Sequence, residues 1–181
     1  PDEAVTRAKA LVAAKPDDPS RRLALGYALT RAGKQYDALF EYDQAFKRAG
    51  SKPEVAREYV VALQKARLPE PALRLANQRP GLIDPVTLRR LEGDLAAERV
   101  RLAEMASRSE KERYVIADRA LADYDKLLAT WTPDASAKED VTRWRIDRMG
   151  ALKARARTAD VIAEYQKLQA EGVQITTYAL R

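Results

Sequence analysis

The sequence contains no cysteine and no histidine among its 181 residues. Without thiols it can form no disulfide, no cysteine-based zinc cluster and no thiol nucleophile. Without imidazole it can form neither a Ser-His-Asp triad nor a Cys-His pair, and it lacks the commonest transition-metal ligand. Catalysis by carboxylates alone is the alternative that remains. We therefore expect no cofactor, no metal ion and no enzymatic activity.

Glycine is scarce, at 7 residues, and no apolar run approaches the ~20 residues that a transmembrane helix needs. Alanine, leucine, arginine, glutamate and lysine dominate instead, which is typical of a helical protein with enough residues to bury a real core. The chain begins at Pro1 with a helical pattern and shows no signal peptide. This beginning predicts a fragment of a longer chain.

The net charge of +6 is unevenly distributed along the chain. Residues 1–90 contain 17 Lys/Arg and 11 Asp/Glu, whereas residues 91–181 contain 16 of each. The densest basic stretch is R-W-R-I-D-R at 143–148, followed by Lys153, Arg155 and Arg157. A nucleic-acid-binding protein would concentrate its basic and aromatic residues in one stripe. The spacing here favours arginines on the solvent-exposed face of a helix, so we expect no nucleic-acid partner.

An internal repeat of 34 residues is visible in the first half of the chain. Ala4, Ala38 and Ala72 are separated by this interval. Three further pairs keep it, namely Pro19 with Pro53, Leu25 with Tyr59, and Leu29 with Leu63, and Pro16 aligns with Gly50. Apolar residues on both sides of Gly33 recur at helical spacing. A period of this length predicts a helix-turn-helix repeat.

A tyrosine-centred phrase recurs as E-Y-D-Q at 41–44, D-Y-D-K at 123–126 and E-Y-Q-K at 164–167. Together with L-G-Y-A-L at 25–29, Gly33, Ala38, Tyr42 and Ala45, it resembles the tetratricopeptide repeat. We expect Gly26 and Ala38 to allow close helix approach, and Tyr42 and Leu29 to fill the space between units. The recurring tyrosines are interpreted as packing residues, because each unit must dock on the previous one in the same way.

After residue 79 the repeat register slips, and two prolines and a glycine at 77–85 predict a break between helices. We predict one all-α tetratricopeptide-repeat domain over 1–181, a right-handed superhelix of about nine helices. Residues 1–79 form regular 34-residue repeats, and residues 80–181 form elongated, irregular ones. The predicted helices with explicit bounds are 2–15, 85–107, 111–130, 137–157 and 159–171.

Three later segments resemble a narrower family. They are L-R-R-L-E-G-D-L-A-A-E-R-V-R-L-A-E-M-A at 88–106, A-D-Y-D-K-L-L-A-T-W at 122–131, and the stretch 143–172 with R-I-D-R-M-G-A-L and V-I-A-E-Y. They resemble the periplasmic repeat domain of the PgaA family, outer-membrane porins that export the biofilm polysaccharide poly-β-1,6-N-acetylglucosamine. The resemblance covers about residues 85–172. One departure is residues 173–179, where a proline is expected before the next helix.

This resemblance implies a location in the periplasm, as the soluble part of an outer-membrane protein whose C-terminal barrel lies outside the fragment. It implies two partners, the periplasmic polysaccharide deacetylase PgaB and partly deacetylated poly-N-acetylglucosamine, which the domain would guide to the pore. Because the exported polymer carries free amines, acidic and aromatic side chains are the expected contacts.

In such superhelices the first helix of each unit lines the concave groove. The groove candidates on that basis are Tyr27, Asp94, Glu98, Trp144 and Asp147. Each has a purely structural alternative. Asp94 and Glu98 could pair with Arg90 or Arg101 on a solvated face. Trp144 could be a core residue, and Asp147 could do no more than neutralise Arg143 and Arg148.

Two other functions stay open at this point. The chain could be a generic tetratricopeptide-repeat adaptor that binds an acidic protein segment on its basic first half. It could also be a glycosidase, which requires two carboxylates about 5–10 Å apart across a sugar cleft. No feature of the sequence selects a glycosidase.

Overall fold

The computed structural model describes residues 2–49, 52–105, 107–131 and 138–175. These residues form nine α-helices and no β-strand. The all-α, tetratricopeptide-like fold predicted from the sequence is thus confirmed. The helices are α1 Asp2–Ala14, α2 Pro19–Arg31, α3 Gln35–Arg48, α4 Pro53–Lys65, α5 Pro69–Gln78, α6 Pro85–Ala103, α7 Glu110–Thr130, α8 Lys138–Ala154 and α9 Thr158–Ala170.

The chain divides into two compact units, Pro1–Leu91 and Glu92–Arg181. The division falls within α6, so residues 85–91 belong to the first unit and residues 92–103 to the second. The predicted single domain, with a change of repeat character at residue 80, stays a prediction.

The helices of the first unit follow the 34-residue interval of the sequence. α2 begins at Pro19 and α4 at Pro53, and the two helices end at Arg31 and Lys65. Proline suits these first positions because the first N–H groups of a helix have no intrahelical partner to lose. Asp18 caps α2 by accepting a 2.9 Å hydrogen bond from the backbone N–H of Ser20. The recurring prolines therefore mark the equivalent starts of α2 and α4.

Close approach of α2 and α3 depends on Gly26. A Cβ atom on this residue would lie 3.1 Å from Cζ of Tyr42, tighter than ordinary van der Waals contact. Ala38 is fully buried, and Tyr42 is 3% exposed. The ring of Tyr27 lies edge-on to that of Tyr42, with 5.7 Å between ring centroids. Gly26 on α2 thus makes room for the Tyr42 ring of α3, and Ala38 is a second small residue buried on α3, as expected.

The first unit is completed by α4, α5 and the beginning of α6. Its apolar interior there is formed by Ala56, Val60, Leu63, Ala72, Leu75, Leu82 and Leu91. The chain turns through Gly81, whose φ of +82° favours glycine. Asp84 then accepts hydrogen bonds from the backbone N–H and the hydroxyl of Thr87, at 2.9 and 2.6 Å. These bonds fix the predicted helix start at Pro85 and lower the pKa of Asp84.

The second unit packs α6, α7 and α8 around a continuous apolar core. The core residues are Ala96, Val100, Ala120, Leu121, Tyr124, Leu127, Trp144, Ala151 and Leu152. Gly93 on α6 lies directly against the Trp144 indole, because a Cβ atom there would lie 2.9 Å from Cε2 and closer still to Nε1. The second unit therefore repeats the ring-against-glycine contact of the first, with tryptophan in place of tyrosine.

Helix bounds in the second half differ slightly from the sequence expectation. α6 ends at Ala103 rather than near residue 107, because a turn precedes the Ser109–Glu112 capping box that starts α7. α8 ends at Ala154, and Ala156 then adopts a left-handed φ of +60°. Three expectations lie outside the described residues: the breaker role of Gly50, the helix start at Ala137 and the last part of the stretch 173–179.

The recurring phrase contributes ion pairs as well as packing. Tyr42 and Tyr124 are buried, whereas Tyr165 is half-buried. The acidic residue before each tyrosine pairs with an arginine on the preceding helix: Glu41 with Arg22 at 2.9 Å, Glu164 with Arg145 at 2.7 Å, and Asp123 with Arg99. Partly buried pairs of this kind fix the register of adjacent helices more than they add stability. The packing role of the phrase is thus joined by an electrostatic one.

Replacing Gly93 by alanine should destabilise the protein. Alanine is the better helix former by about 1 kcal/mol, but its Cβ atom would overlap the Trp144 indole, and overpacking typically costs about 1–3 kcal/mol. We expect the clash to prevail and to lower the free energy of unfolding, measured by urea denaturation with circular dichroism. Trp144→Phe removes the overlapping atoms, so Gly93→Ala should cost less in that background. Equal costs in both backgrounds would show that the contact does not limit the approach of α6 and α8.

Candidate ligand-binding sites

The five groove candidates from the sequence lie in two places. Tyr27 belongs to the first unit, where it lines a pocket between α2 and α4. Asp94, Glu98, Trp144 and Asp147 belong to the second unit, on α6 and α8. The two places belong to different units, so each is a separate candidate site.

Trp144 is an interior residue. Its side chain is 1% exposed and packs among the core residues of the second unit, edge-on to Trp131 with 6.2 Å between ring centroids. This is the packing alternative considered for it, and no open aromatic surface is presented here to a sugar ring. Its indole nitrogen has no hydrogen-bond partner among the described residues. Trp144 is therefore a packing residue that holds α8 against α6, the two helices that carry Asp147 and Asp94.

Asp94 on α6 and Asp147 on α8 influence each other electrostatically, and both act on the hydroxyl of Tyr124 on α7. Partial burial raises the pKa of Asp147, and the Asp94 carboxylate raises it further, while Arg143 and Arg101 oppose the shift. Burial likewise raises the pKa of Tyr124, with Asp147 and Asp94 adding to the effect. We call Asp94, Arg101, Tyr124, Arg143 and Asp147 the polar cluster. Its two carboxylates lie close enough to repel each other.

The polar cluster has half-buried carboxylates and exposed arginines, whereas its tyrosine is closed off from solvent. Tyr124 is fully buried, and its hydroxyl has no hydrogen-bond partner among the residues that the structure describes. Buried polar atoms are nearly always hydrogen-bonded, so a buried hydroxyl without a partner can indicate a functional site. Glu98 lies one turn beyond Asp94 on α6 and is half-buried, and the structure does not bring it into the polar cluster.

Tyr27 lines a well-defined pocket in the first unit, which we call the Tyr27 pocket. Its volume is about 350 Å³, and its walls are Tyr27, Thr30 and Arg31 of α2, Tyr42 of α3, and Glu58, Val61, Ala62 and Lys65 of α4. The Tyr27 side chain is 45% exposed. Burial, and to a lesser extent the nearby Glu58 carboxylate, raise the pKa of Tyr27. The ring is therefore accessible and held in place at the same time.

The basic stretch at 143–157 is largely engaged in ion pairs. Arg145 pairs with Glu164 and Glu171, Arg148 with Asp125, Arg155 with Asp118, and Arg157 with Asp160, all at 2.6–2.9 Å. Arg155 also lies over the Tyr114 ring, 4.3 Å from its centroid. Arg143 and Arg157 are exposed, but Arg145, Arg148 and Arg155 are half-buried, so the solvent-exposed face predicted for this stretch is only partly observed.

Sequence reasoning missed two participating residues. Tyr124 was interpreted only as a packing residue. Its fixed position in the recurring phrase gave no sign that two carboxylates act electrostatically on its hydroxyl. Glu58 had no periodic signal, because the equivalent position one repeat earlier is Ala24. Both roles depend on which helix faces meet.

The described residues contain no group of three or more acidic side chains that could hold a metal ion. Within the same ranges, no helix has both the length and the apolar character needed to cross a membrane.

Helix pairs spaced at 34 residues and docked through small residues define a tetratricopeptide-type helical-repeat fold. A solved structure with this fold is that of MamA protein, with a TM-score of 0.60 and 16% sequence identity, covering 94% of this chain and 82% of that one. No family model matches the sequence.

A more specific similarity exists to the poly-beta-1,6-N-acetyl-D-glucosamine export protein, PgaA. The chain is 36% identical over 171 residues to this protein from Escherichia coli K12, and equally to that from Escherichia coli O157:H7. The match covers 94% of this chain, and the chain spans 20% of the length of each relative. The resemblance expected from residues 85–172 is confirmed, and it extends over nearly the whole chain.

The raised pKa of Asp147 predicts a pH-dependent stability. Because the pKa of this carboxyl is higher in the folded than in the unfolded state, its ionisation opposes folding. The free energy of unfolding should therefore fall as pH rises from about 4, the ordinary value for aspartate, through the folded pKa. Asp147→Asn should remove this component and stabilise the protein at pH 7, measured by urea denaturation at pH 4 and 7. Glu104→Gln, an exposed position in the same unit, is the control. A stability loss of equal size at both pH values would contradict this assignment.

Proposed function

We propose that this chain is a non-enzymatic periplasmic scaffold of poly-β-1,6-N-acetylglucosamine export. It binds the partly deacetylated polymer and guides it toward the pore of the outer-membrane protein to which it belongs. The observation that carries this proposal is the 36% identity over 171 residues to export proteins of that polysaccharide. The tetratricopeptide-type fold supports a binding role, because stacked helix pairs present extended surfaces to partners.

The polar cluster supplies the contact for free amines on the polymer. A glucosamine ammonium group between Asp94 and Asp147 would offset the burial of the Asp147 carboxylate, the main cause of its raised pKa, and the smaller repulsion from Asp94. Partly exposed ammonium–carboxylate contacts contribute only about 0.2–1 kcal/mol each, so the affinity is low. Low affinity suits transport, since a tightly held polymer would not slide onward.

The periplasmic deacetylase is the protein partner in this proposal. Residues 1–90 carry 17 basic and 11 acidic side chains, a balance that favours the acidic surface of a partner protein over a cationic polymer. We assign the docking of the deacetylase to the first unit for this reason.

Binding of a fully deacetylated glucosamine hexamer tests the role of the polar cluster. The double variant Asp94→Asn/Asp147→Asn should weaken binding about two- to thirtyfold, because two charge contacts of about 0.2–1 kcal/mol each are lost. Calorimetry at low salt gives the affinity, and added salt should lower it for the parent. The comparison variant Glu98→Gln tests whether the site extends one turn along α6.

A matched control is Glu104→Gln, which removes one exposed carboxylate from the same unit. It should bind the hexamer like the parent. Unchanged affinity of the Asp94/Asp147 double variant, with an intact helical circular-dichroism signal, would place the amine contact elsewhere.

We expect no turnover of acetylated or deacetylated glucosamine oligomers by this chain. It has no histidine and no cysteine, and the paired carboxylates of the polar cluster lie beside arginines that keep charge balanced. Product analysis of oligomers after prolonged incubation is the measurement. Hydrolysis that disappears on replacing Asp147 by asparagine would overturn this expectation.

A further inference from the structure

The Tyr27 pocket lies between equivalent faces of two successive repeats. Arg31 of α2 and Lys65 of α4 are separated by the 34-residue interval, as are Tyr27 and Val61. The pocket thus has one aromatic wall and one aliphatic wall, with a cation at the end of each. Its volume of about 350 Å³ is at the small end of the ~300–1,000 Å³ range of ligand sites, which suits a single sugar residue.

The aromatic wall is preorganised. Tyr27 is edge-on to Tyr42 at 5.7 Å, and the Glu58 carboxylate of the same pocket lies near its hydroxyl. An accessible ring held from two sides can contact the apolar face of a pyranose at little cost in side-chain entropy. The position of Tyr27 therefore favours a flat, partly apolar ligand.

The charges of the Tyr27 pocket decide which sugar fits. Arg31 and Lys65 are exposed and have no ion-pair partner among the described residues, and Glu58 is the one acidic residue of the pocket lining. Two cations and one carboxylate leave the pocket net positive, so it repels an ammonium group. An acetamido group is neutral, its carbonyl oxygen accepts hydrogen bonds from a cation, and its methyl group can contact Val61 and Ala62.

From this arrangement we infer that the Tyr27 pocket binds an N-acetylated glucosamine residue in preference to a deacetylated one. The inference rests on the proposed function, since it takes the polymer as the ligand. It assigns the two kinds of residue in a partly deacetylated chain to different sites: acetylated residues to the Tyr27 pocket, and free amines to the polar cluster.

The test uses two β-1,6-linked hexamers, one fully acetylated and one fully deacetylated, titrated into ¹⁵N-labelled protein and followed by NMR and calorimetry. The acetylated hexamer should shift backbone resonances of α2 and α4 around Tyr27. Tyr27→Ala should weaken its binding by about fivefold, as loss of one aromatic contact predicts, and leave the affinity for the deacetylated hexamer unchanged. Tyr36→Ala, which removes an 87% exposed tyrosine outside the pocket, is the matched control.

Charge reversal gives a second, independent readout. Lys65→Glu makes the Tyr27 pocket net negative, so it should increase affinity for the deacetylated hexamer and weaken binding of the acetylated one. Lys9→Glu, at an exposed position on α1, controls for the change in total charge. Circular dichroism confirms that each variant is folded.

The outcomes separate this inference from the proposed function. If the deacetylated hexamer binds through Asp94 and Asp147 but the acetylated one causes no shifts around Tyr27, the inference fails and the proposed function stands. If neither hexamer binds, both fail. If an acidic peptide occupies the pocket and loses affinity with Lys65→Glu while the acetylated hexamer does not bind, the pocket belongs to a protein partner and the inference is wrong.

Discussion

Both units of this chain depend on an aromatic ring packed against a helix glycine. In the first unit Tyr42 lies on Gly26, and in the second Trp144 lies on Gly93. Glycine at these positions costs helix propensity, but it allows the neighbouring helices to approach as closely as the ring requires. The buried rings then anchor the surrounding aliphatic residues of each core. Helix docking is thus set by a steric constraint at one residue of each unit.

The same contacts position the groups that can bind a ligand. Tyr42 supports Tyr27, which closes one side of the Tyr27 pocket. Trp144 is buried one helical turn before Asp147, and its contact with Gly93 fixes α8 against the helix that carries Asp94. Packing residues and candidate binding residues are therefore neighbours on the same helices. A change in the ring contact should alter binding through geometry, with no loss of a direct ligand contact.

The two candidate sites differ in electrostatic character. The Tyr27 pocket has two cations and one carboxylate, whereas the polar cluster has two carboxylates that repel each other beside two arginines. A polymer with both neutral and cationic residues has complementary groups for each site. This difference follows the unequal charge of the two halves of the sequence, and several other arginines of the second half are held in ion pairs.

The sequence by itself determined the helices, their 34-residue repeat and the small residues that dock them, because each depends on local spacing and on breakers such as Pro19, Pro53 and Gly33. It also indicated the similarity to polysaccharide export proteins. It could not decide which candidate residues share a site, since that depends on how helix faces meet. Only the tertiary structure buried Trp144, brought Asp94 and Asp147 into electrostatic range of Tyr124, and placed Tyr27 and Glu58 in one pocket. Residues that are far apart in the chain line one pocket, or influence each other's charges, only when the helices pack against one another.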